Sequence, residues 1–355
     1  MTGLRQLNDD LGTRTSELIE RLHVSRGTGR MLVLLVVAFV FFAALRPNVF
    51  LSTLNLQNLA LSAPEIGVLA IAMMLAMLTG GIDLSLVNIA NLSAITMSTL
   101  YTTIHGSNPA LAEQLVPVLI LAGLGMGLLG GAINAVLVAY VGITPILATL
   151  GTMQIYNGLA VVWTGGRTLY GSPATLTGLG QATVAGIPIL FLVFILAAVL
   201  VALLINRTPI GLKIQLEGSN PTAAMYSGIR SRSVLTSTYL VTGLLGGLAG
   251  VLFIARNPSA SADYGASYVL LVIVIAVLGG TNPTGGFATV LGVVLATLTL
   301  QIVASGFTAL RLSAYQYAIA QGVILILVMI ADQLTWRRRR HRRPTPPAPA
   351  LAADH

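Results

Sequence analysis

Roughly ten stretches of about 20 apolar residues recur along this chain, each the length a helix needs to cross a hydrocarbon core about 30 Å thick. More polar links separate them, the longest being 165–185 and 207–232. Charged residues make up 8% of the chain, against about 25% in soluble domains. That is too few to cover a water-soluble fold of this size. A membrane barrel would instead show alternating segments of about ten residues. The sequence therefore predicts an all-α polytopic membrane protein with about ten transmembrane helices. The expected spans are 30–46, 58–80, 84–104, 115–140, 145–164, 186–206, 233–254, 266–280, 284–306 and 314–334.

Charge then sets the expected orientation. Fifteen of the nineteen Lys and Arg residues fall on one side of this topology, including Arg26, Arg30, Arg207, Lys213, Arg230, Arg232 and six arginines in 337–343. Only Arg46, Arg167, Arg256 and Arg311 fall on the other. Cytosolic links carry the basic excess in membrane proteins, so both termini are expected in the cytosol. The net charge of +8 is a set of orienting flanks rather than a nucleic-acid surface, since no basic folded module is present. The run Met31–Leu45 follows basic residues as a signal peptide does, but no A-x-A site follows and the polar leader is long, so an uncleaved span is expected. The organisation expected is a cytosolic segment 1–29, a transmembrane domain 30–336 and a basic, Pro- and Ala-rich tail 337–355. In the first segment, Leu11, Leu18 and Leu22 suit one face of a short helix. The tail arginines suit anionic lipid headgroups.

Much catalytic chemistry is missing from the sequence. The only lysine, Lys213, has no G-x-x-x-x-G-K-[ST] around it, so the chain offers no Walker-type phosphate cradle. His23, His105, His341 and His355 lack metal-ligand spacing, there is no cysteine, and neither G-x-S-x-G nor H-E-x-x-H occurs. No metal site, no resident cofactor and no enzyme activity are expected. Glu65 and Asp83 are the acids expected within or at the edge of the apolar region. They keep open an ion-coupled secondary transporter, which commonly needs such groups as relays.

Several motifs remain. In the internal cytosolic loop 207–232, EGSNPTAAMYSGI runs from Glu217 to Ile229. Gly218 and Ser219 end one segment, Asn220-Pro221 starts a short helix, and Gly228 stops it. A helix with a small-residue face outside the membrane suits a groove on a partner, and equally an ordinary interfacial helix. Gly123, Gly127 and Gly131, with Gly246 and Gly250, have the four-residue spacing that lets helices approach closely in lipid. Two Gly-Gly runs, 78–94 and 278–292, echo one another weakly. Asp83 at the first suits a helix cap or a pathway. Ser85, Asn88 and Asn91 follow it and suit either a wet cavity or bonds between helices. Asn282 lies in the second run. The external segment 165–185, with Arg167, Tyr170, Ser172 and Gln181, suits a docking surface or a plain connector.

The loop resembles the coupling loop of permease subunits of ATP-binding-cassette (ABC) importers, in the monosaccharide class that takes ribose, xylose, arabinose or rhamnose. That pattern, G-x-N-x-x-A-A-x-x-S-G-I, matches Gly218, Asn220, Ala223, Ala224, Ser227, Gly228 and Ile229, with Glu217 just before it. TGGIDLS (79–85), GGAINAVLVAYVGITPILATLGTM (130–153) and VLGGTNPTGG (277–286) are similar to other family motifs, in family order across about 55–334. Two departures stand out: an apolar run after Tyr268, and Pro283 in the late turn. SASADYGAS (259–267) is more similar to the autoinducer-2 and rhamnose branches. The resemblance implies an ABC importer permease fold in the bacterial cytoplasmic (inner) membrane. It implies a cytosolic ABC ATPase that binds the ATP and Mg, an extracytoplasmic solute-binding protein, a second permease copy or sibling, and a sugar or autoinducer-2 as solute. Pathway contacts would then fall on Asp83, Ser85, Asn88, Asn91 and Asn282.

Overall fold

In a computed structural model the described residues are 26–313, 315–323 and 326. The expected helix with Leu11, Leu18 and Leu22, the arginine run, the tail and most of the expected span 314–334 lie outside them. The chain forms two units, one ending at Arg311 and one starting at Leu312.

The first unit is helical. Its helices are α1 (Arg26–Leu45), α2 (Pro47–Phe50), α3 (Thr53–Leu78), α4 (Leu86–Ser107), α5 (Pro109–Gln114), α6 (Val116–Ala135), α7 (Pro145–Thr164) and α8 (Ala174–Gln181). They continue with α9 (Ile189–Arg207), α10 (Pro209–Ser219), α11 (Pro221–Tyr226), α12 (Ser231–Arg256), α13 (Tyr268–Leu278) and α14 (Val290–Ala309). A π-helical turn, Val136–Val141, extends α6. Among the described residues, seven helices are long and apolar enough to cross a membrane: α1, α3, α6 with its π turn, α7, α9, α12 and α14. Apolar α13 has 11 residues and is shorter than a span. The 22-residue α4 carries Asn88, Asn91, Ser93, Thr96 and Ser98 and is less apolar than those seven.

Burial explains that difference. α4 packs on α6, α7 and α12, so its polar side chains meet protein rather than lipid, where their cost would be high. α3 is enclosed even more fully, with every residue from Ala63 to Leu78 buried among α9, α12, α13 and α14. A helix apolar all round has to be surrounded in this way or face lipid. The second case holds for α9, where Leu192, Leu196, Val199, Leu200 and Leu203 are exposed.

Glycines set the tightest packing. A Cβ on Gly127 would meet the Gly243 carbonyl and the Gly247 Cα, and one on Gly243 would meet Gly127 and Gly131 in return. The partners of α6 are thus Gly243 and Gly247. Gly246 and Gly250, singled out by spacing, instead face Ile89, Ala90 and Ser93 of α4. All four lie on α12, and a one-residue offset on a helix turns a side chain by about 100°.

Short strands tie the loops. β1 (Leu169–Tyr170) pairs antiparallel with β4 (Ser259–Ala260), and β2 (Thr183–Val184) with β3 (Ile187–Pro188). Glu113 of α5 accepts from the Ala174 and Thr175 N–H groups at 2.8 and 3.1 Å, and from the Thr175 hydroxyl at 2.7 Å. Segments distant in sequence thereby form one platform at one end of the helices.

Candidate functional site

The motif Glu217–Ile229 sits at the opposite end of the chain's long helices from that platform. Thr208 caps α10, its hydroxyl accepting from the Gly211 N–H at 3.2 Å, with Pro209 at the first turn. Asn220 caps α11 in the same way, accepting from the Ala223 N–H at 3.0 Å, with Pro221 next. Side-chain caps of this kind satisfy donors that a helix start otherwise leaves open. Gly228 ends the turn at φ +79°, and the Ile229 N–H returns to the Ala224 carbonyl at 3.0 Å. The start of α11 at Asn220-Pro221 and its stop at Gly228 are as the sequence predicts; the Thr208–Pro209 start of α10 was not anticipated, and α10 runs through Gly218 to Ser219.

Side-chain orientation is less readable from the pattern. Ala224 is buried against the chain, while Met225 is 59% and Tyr226 83% exposed. The outward face of α11 is therefore Met225 and Tyr226 with Ala223 and Ser227, rather than an alanine surface alone. Beside it opens a cavity of about 710 Å³ lined by Tyr140, Met225, Ile229, Arg230 and Arg232 among others, the Arg232 guanidinium lying over the Tyr140 ring at 5.9 Å.

Gly218 links this surface to the membrane helices. A Cβ there would collide with the Leu78 carbonyl at the end of α3 and with the Gly286 N–H in the turn before α14. Gly286 N–H also donates to that Leu78 carbonyl at 3.0 Å, and a Cβ on Gly285 would meet the Gly218 carbonyl and the Gly80 N–H. The two Gly-Gly breaks, some 200 residues apart in sequence, thus meet each other and the end of α10 through backbone alone. Asn282 organises the second turn: its Oδ1 accepts from Thr284 N–H and Oγ1, and its Nδ2 donates to the Gly285 carbonyl. Glu217 is buried beside Gly218.

A polar chain runs inward from the first break. The Thr152 hydroxyl donates to Asn134 Oδ1 at 2.7 Å, Asn134 Nδ2 to Ser85 Oγ at 2.8 Å, and Ser85 Oγ to Asp83 Oδ1 at 2.7 Å. Asp83 Oδ1 also accepts from the Ser85 N–H at 3.0 Å, next to the start of α4, where a carboxylate is favoured by the helix dipole. Asn88 Nδ2 donates to the Met153 carbonyl at 2.8 Å and Asn91 Nδ2 to the Ala262 carbonyl at 2.7 Å. Asp83, Ser85, Asn91, Asn134 and Thr152 are fully buried. In this conformation they join the α3–α4 break to α6 and α7, and a solute would reach them only if those helices parted. Asn134, Thr149 and Thr152 of the 130–153 motif were not singled out by sequence reasoning. Thr149, which accepts from the Leu84 N–H at 3.1 Å, lies three residues before Thr152 on α7, and Asn134 lies on α6; that spacing and the position of all three inside a family-like motif were the available signals.

Glu65, the other intramembrane acid, is wholly buried and accepts from Arg256 Nη1 at 3.2 Å and from the Tyr264 hydroxyl at 3.1 Å. Among the described residues no cluster of His, Cys, Asp and Glu is arranged to hold a metal ion.

The three motif regions that converge at Gly218, together with the 130–153 motif, fall within residues 55–330, which match the family described as branched-chain amino acid transport system / permease component. The chain belongs to this permease family. It is 30% identical over 330 residues to the autoinducer 2 import system permease protein LsrD of Escherichia coli K12, covering 88% of this chain and 96% of that protein. The same identity and coverage hold for LsrD of Shigella flexneri and of E. coli O157:H7. No solved structure matches. This permease is thus a multi-pass protein of the cytoplasmic membrane and a transport subunit.

Proposed function

We propose that this permease is the membrane subunit of an ABC importer for a small sugar-type solute, and that a separate ATPase pushes on Met225 and Tyr226 of α11. The observation that carries the reading is the backbone junction at Gly218. Any displacement of α10 and α11 moves Gly218 against the ends of α3 and of the turn before α14 with no flexible side chain between them. Closely packed backbone transmits a shift instead of absorbing it. Binding and hydrolysis of ATP, with its Mg, belong to the partner. Alternating access then follows from the partner binding one arrangement of the helices better than the other.

On this reading there are about ten spans with both termini cytosolic, as the basic flanks require. The coupling set is Glu217, Gly218, Asn220, Ala223, Ala224, Ser227, Gly228 and Ile229, to which Met225 and Tyr226 are added. The platform that holds Glu113, β1 and β4 faces outward and takes the solute-binding protein. A second permease copy or sibling completes the complex. The solute is of the sugar type, with autoinducer-2, named for the LsrD relatives, as the second candidate. The family description names branched-chain amino acids, but the monosaccharide-class motifs favour a polyol. An ion-driven carrier working alone is less well supported, because Glu65 is already committed to Arg256 and Tyr264.

Affinity purification of the tagged protein from native membranes tests the assembly. The expected outcome is co-isolation of a Walker-motif ATPase, and loss of that ATPase from a Met225→Glu/Tyr226→Glu variant that still inserts. Purification of the permease alone from an intact preparation would contradict the proposal.

A further inference from the structure

α3 and α14 each present a polar ridge to the other near the platform end. On α3 the ridge is Asn55, Asn58, Leu59 and Ser62; on α14 it is Gln301, Ala304, Ser305 and Thr308. Both follow the i, i+3, i+4, i+7 spacing that places residues on one helix face. Between them is a cavity of about 210 Å³.

Its chemistry is specific. Three amides and three hydroxyls line it, with Leu59 and Ala304 as an apolar patch, and among the described residues no charged group is in the lining. The charges nearest in the hydrogen-bond network neutralise one another: Arg256 binds Glu65 and also donates to Ser62 Oγ at 2.9 Å, fixing that hydroxyl at the inner end. Ser305 Oγ donates to Asn55 Oδ1 across the gap at 2.9 Å, and Asn55 Nδ2 is held by the Phe50 carbonyl at 2.8 Å. These bonds fix the geometry of one wall. Asn58 lies exposed at the cavity, with donors and acceptors on the same side chain. An exposed amide on an apolar helix is costly against lipid, which favours water in this space.

Resting on the permease reading above, we propose that these facing ridges form a recognition site for a single neutral polyhydroxylated solute entering from the platform side. A volume that holds about seven waters lies below the range of about 300–1,000 Å³ typical of drug-sized ligands. The hydroxyls of Ser62 and Thr308 donate to the Asn58 and Ala304 carbonyls, and Gln301 Nε2 reaches the Ser62 carbonyl at 3.4 Å, so the Asn58 amide, Gln301 Oε1 and the remaining hydroxyl lone pairs are what the site offers to sugar hydroxyls, while the Leu59–Ala304 patch meets a C–H face. A free ion or a zwitterionic amino acid would find no counter-charge there. The site lies apart from the Asp83–Ser85–Asn134 chain, which packs helices together.

The chain contains no cysteine, so single cysteines report directly. Asn58→Cys, Gln301→Cys and, as a lipid-facing control on α9, Leu196→Cys are reconstituted with the ATPase and binding protein and exposed to a membrane-impermeant thiol reagent. Cysteines at 58 and 301 should react about tenfold faster than at 196, because the reactive thiolate needs water. D-ribose, D-xylose, L-rhamnose or autoinducer-2 should slow that reaction severalfold. In parallel, Gln301→Leu should raise the KM for ATP-driven uptake about tenfold, as loss of one or two hydrogen bonds does, with the maximal rate retained. Labelling as slow as at 196 would show the ridges covered by lipid or by a second copy, and would overturn the proposal. Fast labelling that none of the four solutes slows would also overturn it. If the cysteine-free parent takes up solute while either result holds, the permease reading stands without this site. If the parent shows no ATP-driven uptake, both fall.

Discussion

Gly218 has no room for a side chain, because a Cβ would occupy the space of the Leu78 carbonyl. Gly218→Ala therefore forces α10 away from α3, and overpacking of this kind costs about 1–3 kcal/mol. Among the described residues, Gly151, in α7, has nothing within 4 Å of an added Cβ, so Gly151→Ala gains up to about 1 kcal/mol from helix propensity alone. Thermal unfolding in detergent should separate the two, with the first variant melting lower than wild type and the second no lower. Asn134 supplies a second test. It accepts from Thr152 and donates to Ser85; in Asn134→Leu, Ser85 keeps its bond to Asp83 and Thr152 keeps the Thr149 carbonyl at 3.3 Å, so stability should fall by about 0.5–1.5 kcal/mol for each of the two lost hydrogen bonds. A melting curve unchanged by that substitution would remove the polar chain from the account of how α4, α6 and α7 are held.

Among elements, Glu113 reports on the platform. Desolvation pushes its carboxyl up, but hydrogen bonds from the Thr175 hydroxyl, the Thr175 and Ala174 N–H groups and the Tyr101 hydroxyl outweigh that and hold it at about 2, below its ordinary 4.5. A depressed carboxyl stabilises the fold at pH values above the unfolded pKa, and that contribution is lost as pH falls through the folded one. The wild type should therefore lose more stability than Glu113→Gln between pH 4.5 and about 2, read as melting temperature across that window. Parallel curves would contradict the linkage.

What the sequence made legible at this scale follows the range of each signal. Seven of the expected spans were readable because hydropathy is local, and α7 begins and ends where the expected span 145–164 does; the expected spans 84–104 and 266–280 correspond to the more polar α4 and the 11-residue α13. The α11 turn was readable because Asn220, Pro221 and Gly228 act within a few residues. The partners of Gly127 and the pairing of Leu169–Tyr170 with Ser259–Ala260 were not readable, since those contacts join remote segments through one or two residues each. The convergence of the two Gly-Gly breaks at Gly218 is not legible for the same reason, although each run is distinct in the sequence. The π turn Val136–Val141 left no distinct signal in an apolar run.

For the molecule as a whole, under the proposed function force is generated outside this chain and received at α11. Tyr226 is the residue best placed to separate coupling from folding. It is 83% exposed, so its loss removes no packing, and surface changes away from special features stay within about 0.5 kcal/mol. The most direct test is uptake into proteoliposomes that contain the permease, its ATPase and its solute-binding protein. Wild type should accumulate solute only when ATP is supplied. The Met225→Glu/Tyr226→Glu variant should insert and melt normally yet accumulate none. Accumulation driven by a proton or sodium gradient without ATPase, or ATP-driven uptake unchanged in that variant, would contradict the claim that ATP acts on this permease through α11.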